Sequence, residues 1–167
     1  QTMFVLLAGI LGGRFVGLAS ISVYLVLGAI GLPVFSGGIG GFAHFAGPTG
    51  GFLISWLVAA PLAGFFADRG FSSVSDGTKV TKTQLGWIIL GSVAGTLSLY
   101  VIGLPYLKMV LQLSWTQTFT IGLLPFIPGE LIKIVSVVIL GNLFALPVCQ
   151  FLRTRAEGED DEHAQGT

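Results

Sequence analysis

The chain has 167 residues, of which 53% are hydrophobic and 10% are charged, and its mean hydropathy is +0.87. Soluble domains carry about 25% charged residues, so this composition excludes an ordinary soluble domain and indicates an all-α membrane protein in a lipid bilayer. The net charge is zero, and we expect no nucleic-acid partner.

Five apolar stretches, taken in chain order, are the candidate membrane spans. They cover residues 2–12, 15–32, 51–67, 85–107 and 119–151. A spanning helix needs about 20 apolar residues, and the first stretch is about half that long. We expect neighbouring helices to accommodate Pro61 in the third stretch, and Gly91 and Gly95 give the fourth a face for close helix contact. The fifth is too long for one straight helix, and Pro125 and Pro128 predict a break or a re-entrant segment there.

Positive charges predict the orientation of these spans, because short cytoplasmic loops carry an excess of Lys and Arg. Such residues follow the first, third and fifth stretches, at Arg14, Arg69, Lys79, Lys82, Arg153 and Arg155. We therefore expect these regions and the C-terminus in the cytoplasm and residues 31–53 outside, with Lys108 as the exception. Five spans then leave Gln1 outside. Since the chain opens inside an apolar run without a methionine, we expect a missing first helix and six helices in all.

Residues 153–167 form an acidic tail. Five of the eight acidic residues lie within residues 157–162, and a run of like charges is usually solvated and disordered. We therefore divide the chain into a transmembrane domain, residues 1–152, and a disordered cytoplasmic tail, residues 153–167.

Residues 31–53 form a glycine-dense, nearly uncharged segment between two spans. Irregular backbone exposed to lipid leaves amides unpaired at several kcal/mol each, so the segment must lie in water, be buried in protein or line a cavity. Because glycine lets backbone amides approach a ligand closely, we interpret the segment as a structured wall over a site for an uncharged or weakly anionic ligand. The alternative is a packing loop without a ligand. Its two glycine clusters are Gly37, Gly38, Ile39, Gly40 and Gly41, and Gly47, Pro48, Thr49, Gly50 and Gly51, with Phe35, Phe42, Phe45 and Phe52 as predicted aromatic walls.

Glu130 and Lys133 are an ionisable pair within the last apolar stretch. Their i, i+3 spacing places them on one face of a helix, within reach of each other. Ionised residues inside a membrane span usually mark a substrate or ion path. The alternative is structural, because Pro128 and Gly129 resemble a helix start and an acidic residue in the first turn favours the helix dipole.

Other site types are not supported. His44 is the one titratable side chain of residues 31–53, and we favour a hydrogen-bonding role in the loop over ligand contact. The glycine spacing fails the GxxxxGK[ST] pattern of a phosphate-binding loop. The sequence carries no Ser-His-Asp set, paired carboxylates or metal-spaced cluster, so we predict that the protein is not an enzyme and uses no cofactor.

Two motifs together carry a family resemblance. GLPVFSGGIGGFAHFAGPTGGFL at residues 31–53 and PFIPGELIK at residues 125–133 resemble the BioY family, the substrate-binding S components of energy-coupling factor biotin transporters. The opening QTMFVLLAGILGGR is similar to the family's second helix, and the intervening spans align in order. The resemblance covers about residues 1–150.

The resemblance implies a six-helix bundle in the plasma membrane of a prokaryote, capturing biotin with high affinity from outside. It also implies a transmembrane T component and two ATPase subunits, which supply the energy. The family's acidic-x-x-Lys pair falls on Glu130 and Lys133, where the usual acidic residue is Asp. Some relatives have Asn at the position of Ile39 and Arg at that of Leu53, so these two polar substrate contacts are in doubt here. The resemblance then implies that the loop backbone, Glu130 and Lys133 make more of the substrate contacts.

Three alternatives remain at this point. The chain could be an S component for another vitamin, since Ile39 and Leu53 replace polar residues. It could be a non-transporting membrane scaffold, with Glu130 and Lys133 as a helix-terminal pair. A proton-coupled solo carrier is less favoured, because one carboxylate and no second relay group are present.

Overall fold

The first helix reverses direction at a single residue. The structure, a computed structural model, describes residues 1–72, 82–144 and 147. Helix α1 covers Thr2–Ala29, but Gly13 inside it has a φ of +74°, a left-handed conformation that glycine adopts without steric cost. The two arms, residues 2–12 and 14–29, fold back on each other, so that a Cβ on Gly17 would lie 2.8 Å from Gly9 Cα. The predicted separation into two apolar stretches is confirmed.

The remaining helices follow in chain order. After α2 (Ala43–Ala46) come α3 (Gly50–Ser72), α4 (Lys82–Leu111) and α5 (Trp115–Gly122), and a last helix, α6, covers residues 127–144. Helices α3 and α4 extend beyond the predicted 51–67 and 85–107. Pro61 lies inside α3 as expected.

The predicted break in the last apolar stretch occurs at a 3₁₀ turn, Leu124–Phe126, that contains Pro125. Proline has no N–H to donate to an α-helical ladder, so the chain adjusts here before α6 begins. At its other end α5 starts with a capping box, in which Ser114 and Gln117 bond each other's backbone N–H groups. The stretch therefore breaks without re-entering, because Gly122 packs near Leu104 and Gly141 near Ile88, antiparallel to α4.

Four helical runs are long and apolar enough to cross a membrane. They are Thr2–Ala29, Gly50–Gly70, Lys82–Leu111 and Trp115–Phe144. Because the first folds back on itself, its shorter arm of residues 2–12 covers about 16 Å at 1.5 Å per residue, roughly half of the ~30 Å hydrocarbon core. The chain is thus a multi-pass, all-α membrane protein in the part that the structure describes.

The bundle has two ends. The turn end holds Gly13, Ser72 and Lys82, and the loop end holds residues 30–49. At the turn end small residues bring backbones together: a Cβ on Gly64 would lie 2.6 Å from Arg14 N, and one on Gly91 2.8 Å from Ala63 O. The predicted close-contact role of Gly91 is confirmed, and glycine and alanine faces of this kind let membrane helices approach closely.

Three of the described cations, Arg14, Arg69 and Lys82, lie at the turn end as predicted. Lys108 lies at the loop end, as does Lys133 of the ion pair with Glu130. The backbone N–H of Arg14 donates to Asp68 Oδ2 at 3.3 Å, which caps the second arm of α1 from α3. Lys79, Arg153, Arg155 and the tail 153–167 lie outside the described residues, so the tail stays a prediction.

Candidate binding cavity

A cavity of about 510 Å³ opens inside the loop end of the bundle. Binding sites for small molecules typically measure about 300–1,000 Å³. Every element at this end contributes to the wall. The lining residues are Gln1, Thr2, Phe35, Ser36, Ile39, His44, Pro48, Thr49, Phe52, Leu53, Trp56, Leu99, Tyr100, Leu107, Ile121, Gly122, Phe126, Glu130 and Lys133.

The loop over the cavity is held by its own backbone. Gly41 has a φ of +111°, and its N–H donates to Gly28 O at 2.7 Å, which returns the loop to α1. Within the turn, Phe35 N donates to Ile39 O at 2.9 Å. Without a residue that tolerates positive φ at position 41, this return would be strained. The loop is therefore an ordered structure, as predicted from the cost of unpaired amides.

Aromatic rings fix the loop to the helices. Phe35 is 5% exposed and meets the rings of Tyr24 and Phe45 edge-on, with centroids 5.9 and 5.7 Å away. The Tyr106 hydroxyl on α4 donates to Phe45 O at 2.6 Å. Edge-to-face ring pairs add to the free energy of burial. Phe35 thus belongs at once to the cavity wall and to the core cluster beneath it.

Glu130 and Lys133 project into the cavity from the first turns of α6. Lys133 Nζ donates to Glu130 Oε1 at 2.7 Å, with the lysine side chain 34% exposed and the glutamate side chain 12% exposed. The second carboxylate oxygen, Glu130 Oε2, is buried without a hydrogen-bond partner in the described structure. Such an atom costs free energy unless a ligand or water pairs with it. The pair therefore offers a strong acceptor and spare ammonium donors to a molecule in the cavity.

The predicted site residues separate into two groups. Seven line the cavity together: Ile39, His44, Pro48, Thr49, Leu53, Glu130 and Lys133. The seven glycines do not line it: Gly37, Gly38, Gly40, Gly41, Gly47, Gly50 and Gly51.

Packing and turn geometry explain several of those glycines. A Cβ on Gly50 would collide with Phe45 O, and one on Gly51 with the Tyr106 side chain, whereas Gly41 needs its positive φ. Among the predicted aromatic walls, Phe35 and Phe52 line the cavity and Phe45 packs behind it. Phe42 was predicted wrongly: it is 74% exposed, because the turn at Gly41 directs it outward.

Several lining residues were absent from the sequence-based site. Most lie on α4, α5 and the 3₁₀ turn, and they are Leu99, Tyr100, Leu107, Ile121, Gly122 and Phe126. Lipid-facing and cavity-facing positions are equally apolar there, so hydrophobicity gives no contrast. Tyr100 carried a usable signal, since a phenol in mid-span needs a polar partner, and it lies close enough to Glu130 to interact with its carboxylate.

The sequence and the fold both match known proteins. A family model, described as the BioY family, matches residues 1–147. "Biotin transporter BioY" from Rhizobium etli is 38% identical over 142 residues, which cover 85% of this chain and 74% of that protein. "Probable biotin transporter BioY" from Pyrococcus horikoshii is 37% identical over 142 residues, covering 85% and 76%.

A solved structure matches as well. It is described as the crystal structure at 2.1 Å of the S-component for biotin from an ECF-type ABC transporter. The TM-score is 0.72 at 32% sequence identity, and the match covers 87% of this chain and 73% of that one. A likeness of this extent shows that the two proteins share the fold.

Proposed function

The chain belongs to the BioY family, and from that membership we propose that it is the biotin-binding S component of an energy-coupling factor vitamin transporter. The observation that carries the proposal is the cavity itself, which is lined both by the loop and by the ion pair of Glu130 Oε1 and Lys133 Nζ, 2.7 Å apart. Relatives named as biotin transporters and a biotin S component with the same fold support it.

Biotin combines a polar ureido ring with an apolar thioether ring and chain, and the cavity offers both kinds of surface. The buried, unpaired Glu130 Oε2 can accept a ureido N–H, and Lys133 can donate to the ureido oxygen. Phe52, Leu53 and Trp56 offer apolar contact to the rest. His44, Pro48, Thr49 and Ile39 complete the wall at the loop, while the glycines shape the backbone behind it.

The transport step follows from the same assignment. A T component and two ATPases would supply the energy, and the subunit would reorient as a whole to deliver biotin inward. The excess of Lys and Arg at the turn end favours a cytoplasmic location for that end, with the loop end outside the plasma membrane of a prokaryote and the C-terminus in the cytoplasm. In sealed right-side-out vesicles, a cysteine placed at Lys108 should label from outside and one placed at Arg14 from inside, and the reverse would contradict this orientation.

A binding titration tests the function. We expect purified protein in lipid nanodiscs to bind biotin, and Lys133→Met to weaken binding by about 30-fold, or about 2 kcal/mol. A hydrogen bond to a charged group contributes about 1.5–3 kcal/mol, and Lys133 would donate such a bond to biotin. Lys108→Met is the matched control, since Lys108 lies at the same end outside this cavity.

Two results would contradict the proposal. One is folded protein that binds no biotin; the other is Lys133→Met with unchanged affinity. A competition panel of other vitamins distinguishes biotin from another substrate, and a scaffold protein would show no thermal stabilisation by any of them, since a ligand stabilises only the state that binds it.

A further inference from the structure

The cavity is electrically balanced. Among its described lining residues, Glu130 and Lys133 are the side chains of fixed charge, and they neutralise each other across 2.7 Å. His44 also lines the wall. The remaining lining side chains are apolar or uncharged.

The apolar part of the described lining offers no cation to an anionic ligand. Leu53 and Trp56 are 6% and 5% exposed and belong to the core cluster with Phe35. A ligand carboxylate placed against them would be buried without a partner, which is costly. Placed beside Lys133 it would meet the Glu130 carboxylate on the same ammonium, and the two negative charges would repel each other. In neither position would a negative charge on the ligand increase its binding affinity.

The rim of the cavity is different, because its lining residues are exposed. Ser36, Ile39, Pro48 and Thr49 all line the cavity and are exposed at the loop end. A chain extending from a ring held at Glu130 can therefore reach water between these residues. The carboxyl end of such a ligand would be solvated there, whatever group it carries.

We propose that the site selects the biotin ring system rather than the free acid, and that it takes neutral biotin esters and carboxamides, including biotinyl-lysine, as well as biotin. This inference rests on the proposed biotin-binding function. It follows from the balanced charge of the cavity and from its exposed rim, and it extends the substrate class to conjugates in which the carboxylate is blocked.

The first test compares ligands on the full chain in nanodiscs of neutral lipid. Biotin, its methyl ester, its primary amide and biotinyl-lysine would be measured at pH 8. We expect the neutral compounds to bind within threefold of biotin. Biotin binding at least tenfold more tightly than both the ester and the amide would overturn the inference while leaving the proposed function intact. Failure of all four compounds would instead remove the proposed function.

The second test changes the charge of the cavity and reads the ratio of ester to biotin dissociation constants. Glu130→Gln preserves shape but leaves Lys133 uncompensated, so we expect the ratio to rise at least tenfold in favour of biotin. Ile39→Lys adds a cation at the exposed rim, where we expect at least a threefold rise at low salt that declines as salt screens it. Lys108→Gln should leave the ratio unchanged.

The ratio is insensitive to losses that affect both ligands equally, so a general weakening by Glu130→Gln does not confuse the result. An unchanged ratio in Glu130→Gln overturns the inference. If that variant does not fold, Ile39→Lys decides alone, because Ile39 is 47% exposed and tolerates a long polar side chain. An unchanged ratio there overturns it equally.

Discussion

The two ends of the bundle are built on opposite principles. At the turn end glycines and alanines bring helix backbones into direct contact, and Ala60, Ala63 and Ala67 are fully buried. At the loop end rings fill the gaps between helices, with Phe52 lying on Gly103 and Tyr106 on Gly51. Close contact between helix backbones leaves no room for a ligand. Aromatic side chains keep the helices further apart and leave a cavity, whose chemistry is set by the other side chains that line it.

The largest effect should come from removing a ring at the loop end. Phe35→Ala deletes a 5% exposed side chain that joins the loop to α1, and Phe→Ala in a core costs about 3–5 kcal/mol. We expect a lower free energy of unfolding together with weaker biotin binding, since Phe35 also lines the cavity.

Phe42→Ala is the matched control, because Phe42 is 74% exposed and outside the lining. Thermal unfolding and a biotin titration of both variants would check the expectation. Equal effects of the two substitutions would show that the loop is not anchored through Phe35.

The next largest effect should come from overfilling the turn end. In Gly9→Val the new side chain would collide with the backbone carbonyl of Ala60, and overpacking typically costs about 1–3 kcal/mol. We expect thermal stability to fall while the affinity of the folded fraction for biotin stays unchanged. Loss of biotin affinity in folded Gly9→Val would contradict the expectation that the turn end contributes to packing and not to binding.

Gly86→Ala provides the control for that substitution, because nothing lies within 4 Å of a Cβ at position 86. Replacing a glycine inside a helix by alanine stabilises it by about 0.5–1 kcal/mol. The two glycines should therefore change the unfolding temperature in opposite directions.

The smallest effect should come from a single hydrogen bond. Tyr106→Phe removes the donor to Phe45 O, a bond of 2.6 Å, and a typical hydrogen bond contributes about 0.5–1.5 kcal/mol. We expect a loss of about 1 kcal/mol in stability and faster biotin release, since this bond fixes the loop to α4. A stopped-flow measurement of biotin release would detect the change. An unchanged release rate would mean that this hydrogen bond does not control opening of the loop.

The sequence predicted the helices, the ordered loop and the charged pair, because each rests on a local rule. Unpaired amides cannot face lipid, and residues spaced i, i+3 meet on one helix face. The sequence wrongly placed the loop glycines at the cavity. Gly50 packs against the Phe45 backbone and Gly51 against the Tyr106 side chain on another helix, and such contacts depend on the fold. It also missed Leu99 and Leu107, because the interior of a membrane protein is as apolar as its lipid surface.

The reversal at Gly13 has a consequence for biogenesis. The two arms of α1 are joined through one residue, so their pairing requires almost no loop closure, and local contacts of this kind form fast. We expect the α1 hairpin to assemble as soon as both arms have left the ribosome, before α3 is available. It would then be the template on which α3 docks, with Asp68 closing the joint at Arg14 as the last step of that docking.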